Sequence, residues 1–438
     1  LPGSLPFGET RSEQEKTMFL KSLCLENIRC IEKLELPLTT DQDKVRQWTI
    51  LLGENGMGKS TILRSIALVL AGSEALASLV GATDSWIRSG EKKAEIQAVL
   101  TTAKGEEREI ALRFERGQNI RQMFDENRES LDALDRALAH SYRNYFTVGY
   151  GVSRRLPVKK SFQALSSEGM YDHPRANSVA TLFTPEADLV SFETWAMDLD
   201  YRRSGEALDL IQMALGDFLP GVKFHGIDKE KRRLMFQTPD GLVPLALLSD
   251  GYQNAISWCG DLLFRLTETF EDFKNPLHAR GLLLIDEVGL HLHLNWQRKL
   301  REYIINKFPN FQVVGTTHSP FTAHQAGVGE LFSLVRHDPS DAEVELLHYE
   351  GAPNQLLLHQ LIMTPFFGLD TMSSRKWEEI REEYRALEAK KKKTSVEKKR
   401  MKELEEQLED QPDWSAGMSQ YDEVKSLLQE IRDERKSK

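Results

Sequence analysis

The sequence predicts an α/β fold, a mixed sheet with flanking helices, that carries an inserted helical lobe and ends in a charged helical extension. Three observations lead there. Short apolar runs, WTILLG (48–53), GLLLID (281–286) and FQVVGTT (311–317), have the length and composition of strands buried on both faces. The first continues through a glycine-rich turn into STILRSIALVLAG, where Ile62, Leu63, Ile66 and Leu70 recur at the spacing of a helix packed on a sheet. Between the first run and the second, DLVSFETWAMDL, EALDLIQMALGDFL and YQNAISWCGDLLFRLTETF carry the apolar period of helices.

Taken in order, residues 1–17 are rich in glycine, proline and polar residues, lack periodicity and precede Met18; they read as a tag remnant or disordered lead outside the fold. FLKSLCLENI and CIEKLELPL read as two paired strands. EIQAVLTTAKGEEREIALRFERG reads as a hairpin around Gly105, residues 121–141 as one charged helix, and YFTVGYG (145–151) as a strand. Residues 160–180 show no period and read as a long loop. VKFHGIDKEKRRLMFQTPDGLVPL reads as a second pair of strands with an Asp-Gly turn. The chain is thereby divided into 18–160 and 246–370, two parts of one α/β lobe, with a helical lobe and insert at 161–245 between them and the extension at 371–438.

In that extension 17 basic and 17 acidic residues lie between Arg375 and Lys438, so its helices present charge on most faces. Trp377, Ile380, Tyr384 and Leu387, and later Val424, Leu427, Leu428 and Ile431, form narrow apolar stripes that must dock on something. Thr394 and Glu397 make a capping box for a helix carrying Met401, Leu404 and Leu408, which Pro412 ends. The run KKKKTSVEKKRMK (390–402) holds eight basic residues against one acid and reads first as a solvated helix face, with nucleic-acid contact as the lesser alternative.

Composition narrows the function classes. With 40% hydrophobic and 28% charged residues the chain suits a globular protein. No run of about 18 apolar residues and no basic-then-apolar leader occurs, so neither a membrane span nor a secretory signal is expected, and the cytoplasm is the default location. Cys24, Cys30 and Cys259 contain no C-x-x-C pair and offer neither a disulfide framework nor a zinc cage. A net charge of -10 argues against a globally basic nucleic-acid binder.

Residues Gly53 to Ser60 satisfy G-x-x-x-x-G-K-S between a strand and a helix. In such a loop the backbone at Asn55, Gly56 and Gly58 and the helix start at Lys59, Ser60 and Thr61 wrap phosphate oxygens; Lys59 reaches the β and γ phosphates and the Ser60 hydroxyl ligates magnesium. Asp286, ending the strand LLLID, supplies a second magnesium carboxylate, and Glu287 beside it points elsewhere, toward an attacking water. No Asn-Lys-x-Asp motif selects guanine, which disfavours a GTPase. LLSDGYQN (247–254) opens a helix; alone its Ser-Asp-Gly is an ordinary cap or turn.

Taken together, the phosphate loop, LLSDGYQN, the Asp-Glu strand and TTHSP (316–320) resemble ABC-type P-loop ATPases. TTHSP with VGLHLHLNWQ (288–297) is similar to the ATPase half of OLD, RecF and Rad50 relatives, and across residues 18–370 the chain looks most like PtuA-like, Septu-type AAA defence ATPases without a Toprim nuclease. The resemblance implies ATP and Mg2+ held between two head-to-tail subunits. Lys59, Ser60, Asp286, Glu287 and the γ-phosphate-sensing His318 would serve one site, and Ser249 and Gly251 the other. It further implies that ATP-dependent dimerisation or higher assembly controls a neighbour-encoded effector, a nuclease or toxin, in bacterial anti-phage defence. A RecF-like ATPase acting directly on DNA and a slow ATP-bound scaffold are the alternatives; a transporter subunit suits the chain least. Gly289 stands where relatives carry a second acid, and Asn295 where they carry proline.

Further residues invite more than one reading. His291 and His293 read as shaping the loop after Glu287 and facing a partner subunit in preference to binding metal, because no third and fourth ligand follows at zinc spacing. Arg154 and Arg155 read equally as phosphate or nucleic-acid contacts and as solvated surface arginines. Asn27 and Arg29, in LENIRC, resemble a segment that RecF and Rad50 relatives place near the nucleotide.

Overall fold

The structure is a computed structural model of the 438-residue chain. It describes residues 19–102, 104–154, 170–202, 206–216, 218–336, 343–367, 374–390 and 393–409. These fall into two compact units, Leu1–Gly368 and Leu369–Lys438.

The first unit begins with β1 (Leu20–Ile28) and β2 (Ile31–Pro37), then β3 (Trp48–Gly53), α1 (Lys59–Val69), α2 (Ser73–Leu79), β4 (Lys93–Thr101) and β5 (Glu107–Glu115). Strands β2, β1, β4 and β5 pair antiparallel in that order. A register shift between Leu20 and Ser22 places both Leu20 and Leu23 on the buried face, which strict alternation would forbid.

The single helix expected over 121–141 is two, α3 (Ile120–Glu126) and α4 (Arg128–His140). The break is Asn127, which is buried. Its amide accepts the Arg113 N–H at 2.7 Å and donates to the Arg113 and Met123 carbonyls at 2.8 Å each, so it completes the edge of β5 in place of a neighbouring strand. Asn127→Ala leaves the Arg113 peptide groups unpaired and should lower unfolding free energy by about 2 kcal/mol in a urea titration. A loss below about 0.5 kcal/mol, the range of ordinary surface substitutions, would show that α3 and α4 hold without it.

Next come β6 (Thr147–Tyr150), α5 (Pro174–Asn177), α6 (Ala180–Phe183), α7 (Phe192–Arg202) and α8 (Glu206–Leu215). Part of the long loop expected at 160–180 is therefore helical, while 155–169 lie outside the described residues. Helices of four residues are too short to show a period. Arg175 fastens this stretch by donating to the carbonyls of Leu70, Tyr142, Asn144 and Tyr145, and burial pushes its guanidinium down to about 10.

The expected second pair of strands is a three-stranded antiparallel sheet of β7 (Lys223–Asp228), β8 (Arg233–Thr238) and β9 (Gly241–Pro244). The Asp-Gly turn joins β8 to β9; the other turn closes where the Asp228 carboxylate accepts the Lys231 N–H at 3.0 Å. The unit continues with α9 (Asp250–Thr269), β10 (Gly281–Ile285), α10 (Leu294–Lys307), β11 (Phe311–Thr317), α11 (Pro320–Ala323), β12 (Leu331–Val335), β13 (Glu345–Tyr349) and α12 (Leu358–Ile362).

A six-stranded sheet in the order β13-β12-β3-β11-β10-β6 organises the unit; every pairing is parallel except β12 with β13. Its strands divide their side chains with period two between two cores. Leu51, Leu282, Leu284 and Val314 meet the Ile62, Leu63 and Ile66 face of α1 and, beyond it, Leu23 and Ile96 of the antiparallel sheet. Ile50, Leu52, Leu283, Ile285 and Val313 meet Trp258 and Leu262 of α9, Trp195 of α7 and Tyr303 of α10. Because β3, β10 and β11 are parallel, their carboxyl ends open side by side on one edge, where the loops that leave them carry the chemistry.

In the second unit α13 (Arg375–Glu388) and α14 (Ser395–Glu409) pack on each other through Ile380 and Leu404, and the Arg400 guanidinium clasps Glu383 with two bonds of 2.8 Å. Glu397 accepts the Thr394 N–H at 2.8 Å while Thr394 Oγ1 accepts the Glu397 N–H at 3.3 Å, the reciprocal box expected from the sequence. Pro412 and the stripe from Val424 to Ile431 lie outside the described residues. Among the described residues no helix is long and apolar enough to cross a membrane.

Candidate active site

Strand β3 delivers the chain into its phosphate-type loop, and the backbone there demands glycine. Gly56 and Gly58 have φ of 83° and 97°, and a Cβ on Gly58 would lie 3.0 Å from both Cys30 Sγ and Ile31 Cδ1. The LENIRC turn therefore abuts the loop through Cys30 and Ile31, while Arg29 turns aside to stack on Trp86 at 4.2 Å. Asn55 sits exposed at the loop tip. Gly58 is the N-cap of α1 with no side-chain cap, so the positive end of an 11-residue helix faces the loop with its first N–H groups uncapped. Thr61, in the first turn, is buried.

Lys59 is folded over the loop, its ammonium donating to the Gly53 and Glu54 carbonyls at 2.6 and 3.0 Å. Burial lowers its pKa, with the nearby Glu287 and Asp286 carboxylates opposing the shift. Ser60 Oγ donates to Asp286 Oδ2 at 2.6 Å, across 226 positions of sequence. The other Asp286 oxygen accepts the Thr316 hydroxyl at 2.6 Å.

Glu287, the residue after Asp286, takes φ 49°, a left-handed conformation that costs a non-glycine residue on the order of 1–3 kcal/mol unless the surroundings hold it. Its N–H donates to Thr316 Oγ1 at 2.8 Å, and its carboxylate accepts the His318 N–H at 3.3 Å. The His318 ring Nε2 lies 3.3 Å from the same oxygen. Burial raises the Glu287 pKa, countered by His318 and Lys59. Lys59, Ser60, Asp286, Glu287 and His318 thus converge at the ends of β3, β10 and β11.

Ser249 and Gly251 are elsewhere. Ser249 caps α9 with its hydroxyl making no cap bond, and both residues line a separate cleft of about 260 Å³ with Tyr252, His291, His293 and Trp296. A Cβ on Gly251 would stand 2.6 Å from the His291 carbonyl oxygen, so glycine is what lets α9 start directly against the loop that follows Glu287. His293 is the N-cap of α10, its Nδ1 accepting the Asn295 N–H at 3.3 Å.

Three residues to which the sequence analysis gave no individual role support or border this site. Thr316 links Asp286 to Glu287 as above; a hydroxyl at the end of an otherwise apolar strand was its signal. Gln297 donates to the Gly289 and Leu292 carbonyls and accepts the Ser319 hydroxyl at 2.6 Å, tying the loop after Glu287 to the segment after His318. Arg64 of α1, held by the Leu182 carbonyl, is lowered in pKa by burial and opposed by Asp286. Arg154 is neither a surface residue nor exposed to a ligand: only 5% of it is accessible, and it donates to backbone carbonyls including that of Glu287. Arg155 lies outside the described residues.

The chain is 25% identical over 419 residues to the Septu protein PtuA of Bacillus mycoides, a match covering 95% of this chain and 52% of that protein. It is 31% identical over 124 residues to the Retron Ec83 probable ATPase of Escherichia coli, covering 28% of this chain and 23% of that one. The chain thus spans about half, or less, of the length of these relatives. Among solved structures, an SMC head bound to the C-terminal winged-helix domain of ScpA aligns with a TM-score of 0.42 at 15% identity, covering 76% of this chain and 98% of that one. A family model matches residues 49–323, from β3 through α11 and so through every residue of the candidate site, and the chain belongs to the family described as AAA domain, putative AbiEii toxin, Type IV TA system.

Proposed function

We propose that the protein binds ATP with magnesium at the β3–α1 loop and hydrolyses it, and that a second copy of the chain completes the site. The observation that carries this reading is the 2.6 Å bond between Ser60 and Asp286, with Glu287 held next to them and Lys59 arched over the loop. The donor set suits the ligand: an alcohol and a carboxylate are hard oxygen ligands for magnesium, and an uncapped helix start with a buried ammonium suits phosphate. When bound, magnesium and the triphosphate would supply charge neutralisation and the phosphorus that is attacked. For the chain's part, Ser60 and Asp286 hold the metal, Lys59 exchanges the Gly53 and Glu54 carbonyls for phosphate oxygens, and Glu287, steadied by His318, accepts a proton from water.

Ser249 and Gly251 line a cleft apart from these residues, which fits a role toward a partner's nucleotide in a head-to-tail dimer. Similarity to PtuA and to a retron ATPase supports a role in a defence system, where the protein, in the cytoplasm, would control a neighbour-encoded nuclease or toxin through its assembly. Two measurements test this reading. Turnover should vanish on chelation with EDTA and return with magnesium in the wild type but not in Asp286→Asn. Co-purification with genomic neighbours should yield an ATP-dependent complex with one of them; ATP-dependent DNA binding without any protein partner would favour the RecF-like alternative instead.

A further inference from the structure

Arg154 belongs to no part of the proposed nucleotide site, yet its guanidinium is spent on the backbone that carries Glu287. Nε donates to the Gly151 carbonyl at 3.1 Å, and Nη2 donates to the carbonyls of Asp286 and, at 2.8 Å, of Glu287. The Glu287 N–H is held from the opposite side by Thr316 Oγ1 at 2.8 Å. Both peptide groups flanking the Glu287 Cα are therefore fixed, in a residue whose φ of 49° needs holding. The arginine is itself anchored. A Cβ on Gly151 would lie 2.0 Å from the Thr181 carbonyl oxygen, and the Gly151 N–H donates to Thr181 Oγ1 at 3.1 Å, so the loop from Gly151 to Arg154 is seated on α6. Strand β6 joins the same framework where the Tyr150 carbonyl accepts the Asp286 N–H at 2.7 Å.

We infer that Arg154 is a positioning residue for hydrolysis: its three-way grip on the Gly151, Asp286 and Glu287 carbonyls fixes the turn that aims the Glu287 carboxylate at the attacking water. The inference rests on the reading of Glu287 as general base. Arginine is required because its donors are spread over a rigid fork that spans the three carbonyls; the donors of a lysine sit on one nitrogen and reach only part of them. The Asp286 and Glu287 carboxylates supply the counter-charge that makes a buried guanidinium tolerable.

The test is single-turnover ATP hydrolysis, with equilibrium binding of a fluorescent ATP analogue, for Arg154→Lys, Arg154→Gln, Glu287→Gln and the Arg154→Lys/Glu287→Gln pair. The expected result is analogue affinity within about threefold of wild type, hydrolysis slower by about 100-fold in both arginine variants, and a double variant no slower than Glu287→Gln alone. Wild-type rates in Arg154→Lys and Arg154→Gln, or losses that multiply in the double variant, would overturn it. Loss of analogue binding in step with hydrolysis would also overturn it, because Arg154 would then be holding the fold. Should Glu287→Gln itself hydrolyse at the wild-type rate, the general-base reading fails and takes this inference with it; a slow Glu287→Gln beside a fast Arg154→Lys removes the positioning role alone.

Discussion

Glu287→Gln is expected to lower kcat about 1,000-fold while ATP affinity stays within about threefold of wild type, because a positioned general base contributes roughly 100- to 10,000-fold and no contact with the bound phosphates is removed. The substitution keeps the shape of the side chain and an oxygen that can accept the His318 N–H, so the turn at φ 49° should persist. It leaves Ser60 and Asp286 in place, so bound ATP stays held but uncleaved. ATP-bound chains should therefore accumulate as dimers or higher assemblies, readable as a mass increase with ATP and magnesium. A variant that turns over normally would exclude Glu287 as the base.

Gly251→Val should abolish ATP-dependent assembly while the chain still binds ATP. The substitution drives a branched side chain into the His291 carbonyl oxygen, 2.6 Å from where Cβ must sit, so the first turn of α9 has to retreat from the loop after Glu287. Overpacking of this kind lowers stability by about 1–3 kcal/mol, a loss that thermal unfolding would register. The larger effect is on the cleft, whose Ser249 and Gly251 edge would no longer present itself to a partner. The P-loop lies on other elements, so ATP affinity of the isolated chain should be unchanged. Assembly at wild-type level in Gly251→Val would separate this cleft from dimerisation.

Chemistry that depends on contiguous residues was the easiest to read. The glycines of the β3–α1 loop and the Asp286–Glu287 pair announce themselves because a loop of defined backbone and a strand end are local objects, and the fold brings Ser60 against Asp286 across the sheet. Arg154 could be named but its role was not legible, since its partners are backbone carbonyls that leave no mark in the sequence. Nor was the need for Gly251 against His291, which arises only when α9 and the loop after β10 are packed together. The apolar period runs on past Asn127, so the α3–α4 break, set by a side chain bonding to β5, could not be seen from one helix alone. Strand β9 is four residues long and mostly unburied, too short for alternation to reveal.

The claim that two chains share each site is tested most directly by mixing two inactive variants, Lys59→Ala and Gly251→Val. In a head-to-tail dimer a mixed pair restores one site of two, pairing the intact P-loop of one chain with the intact Ser249–Gly251 edge of the other. Because only the mixed pair carries an intact site, turnover should recover to at most about half of wild type, and should be absent from either variant alone. A mixture that stays inactive, although each variant is folded and Gly251→Val still binds ATP, would contradict the shared site.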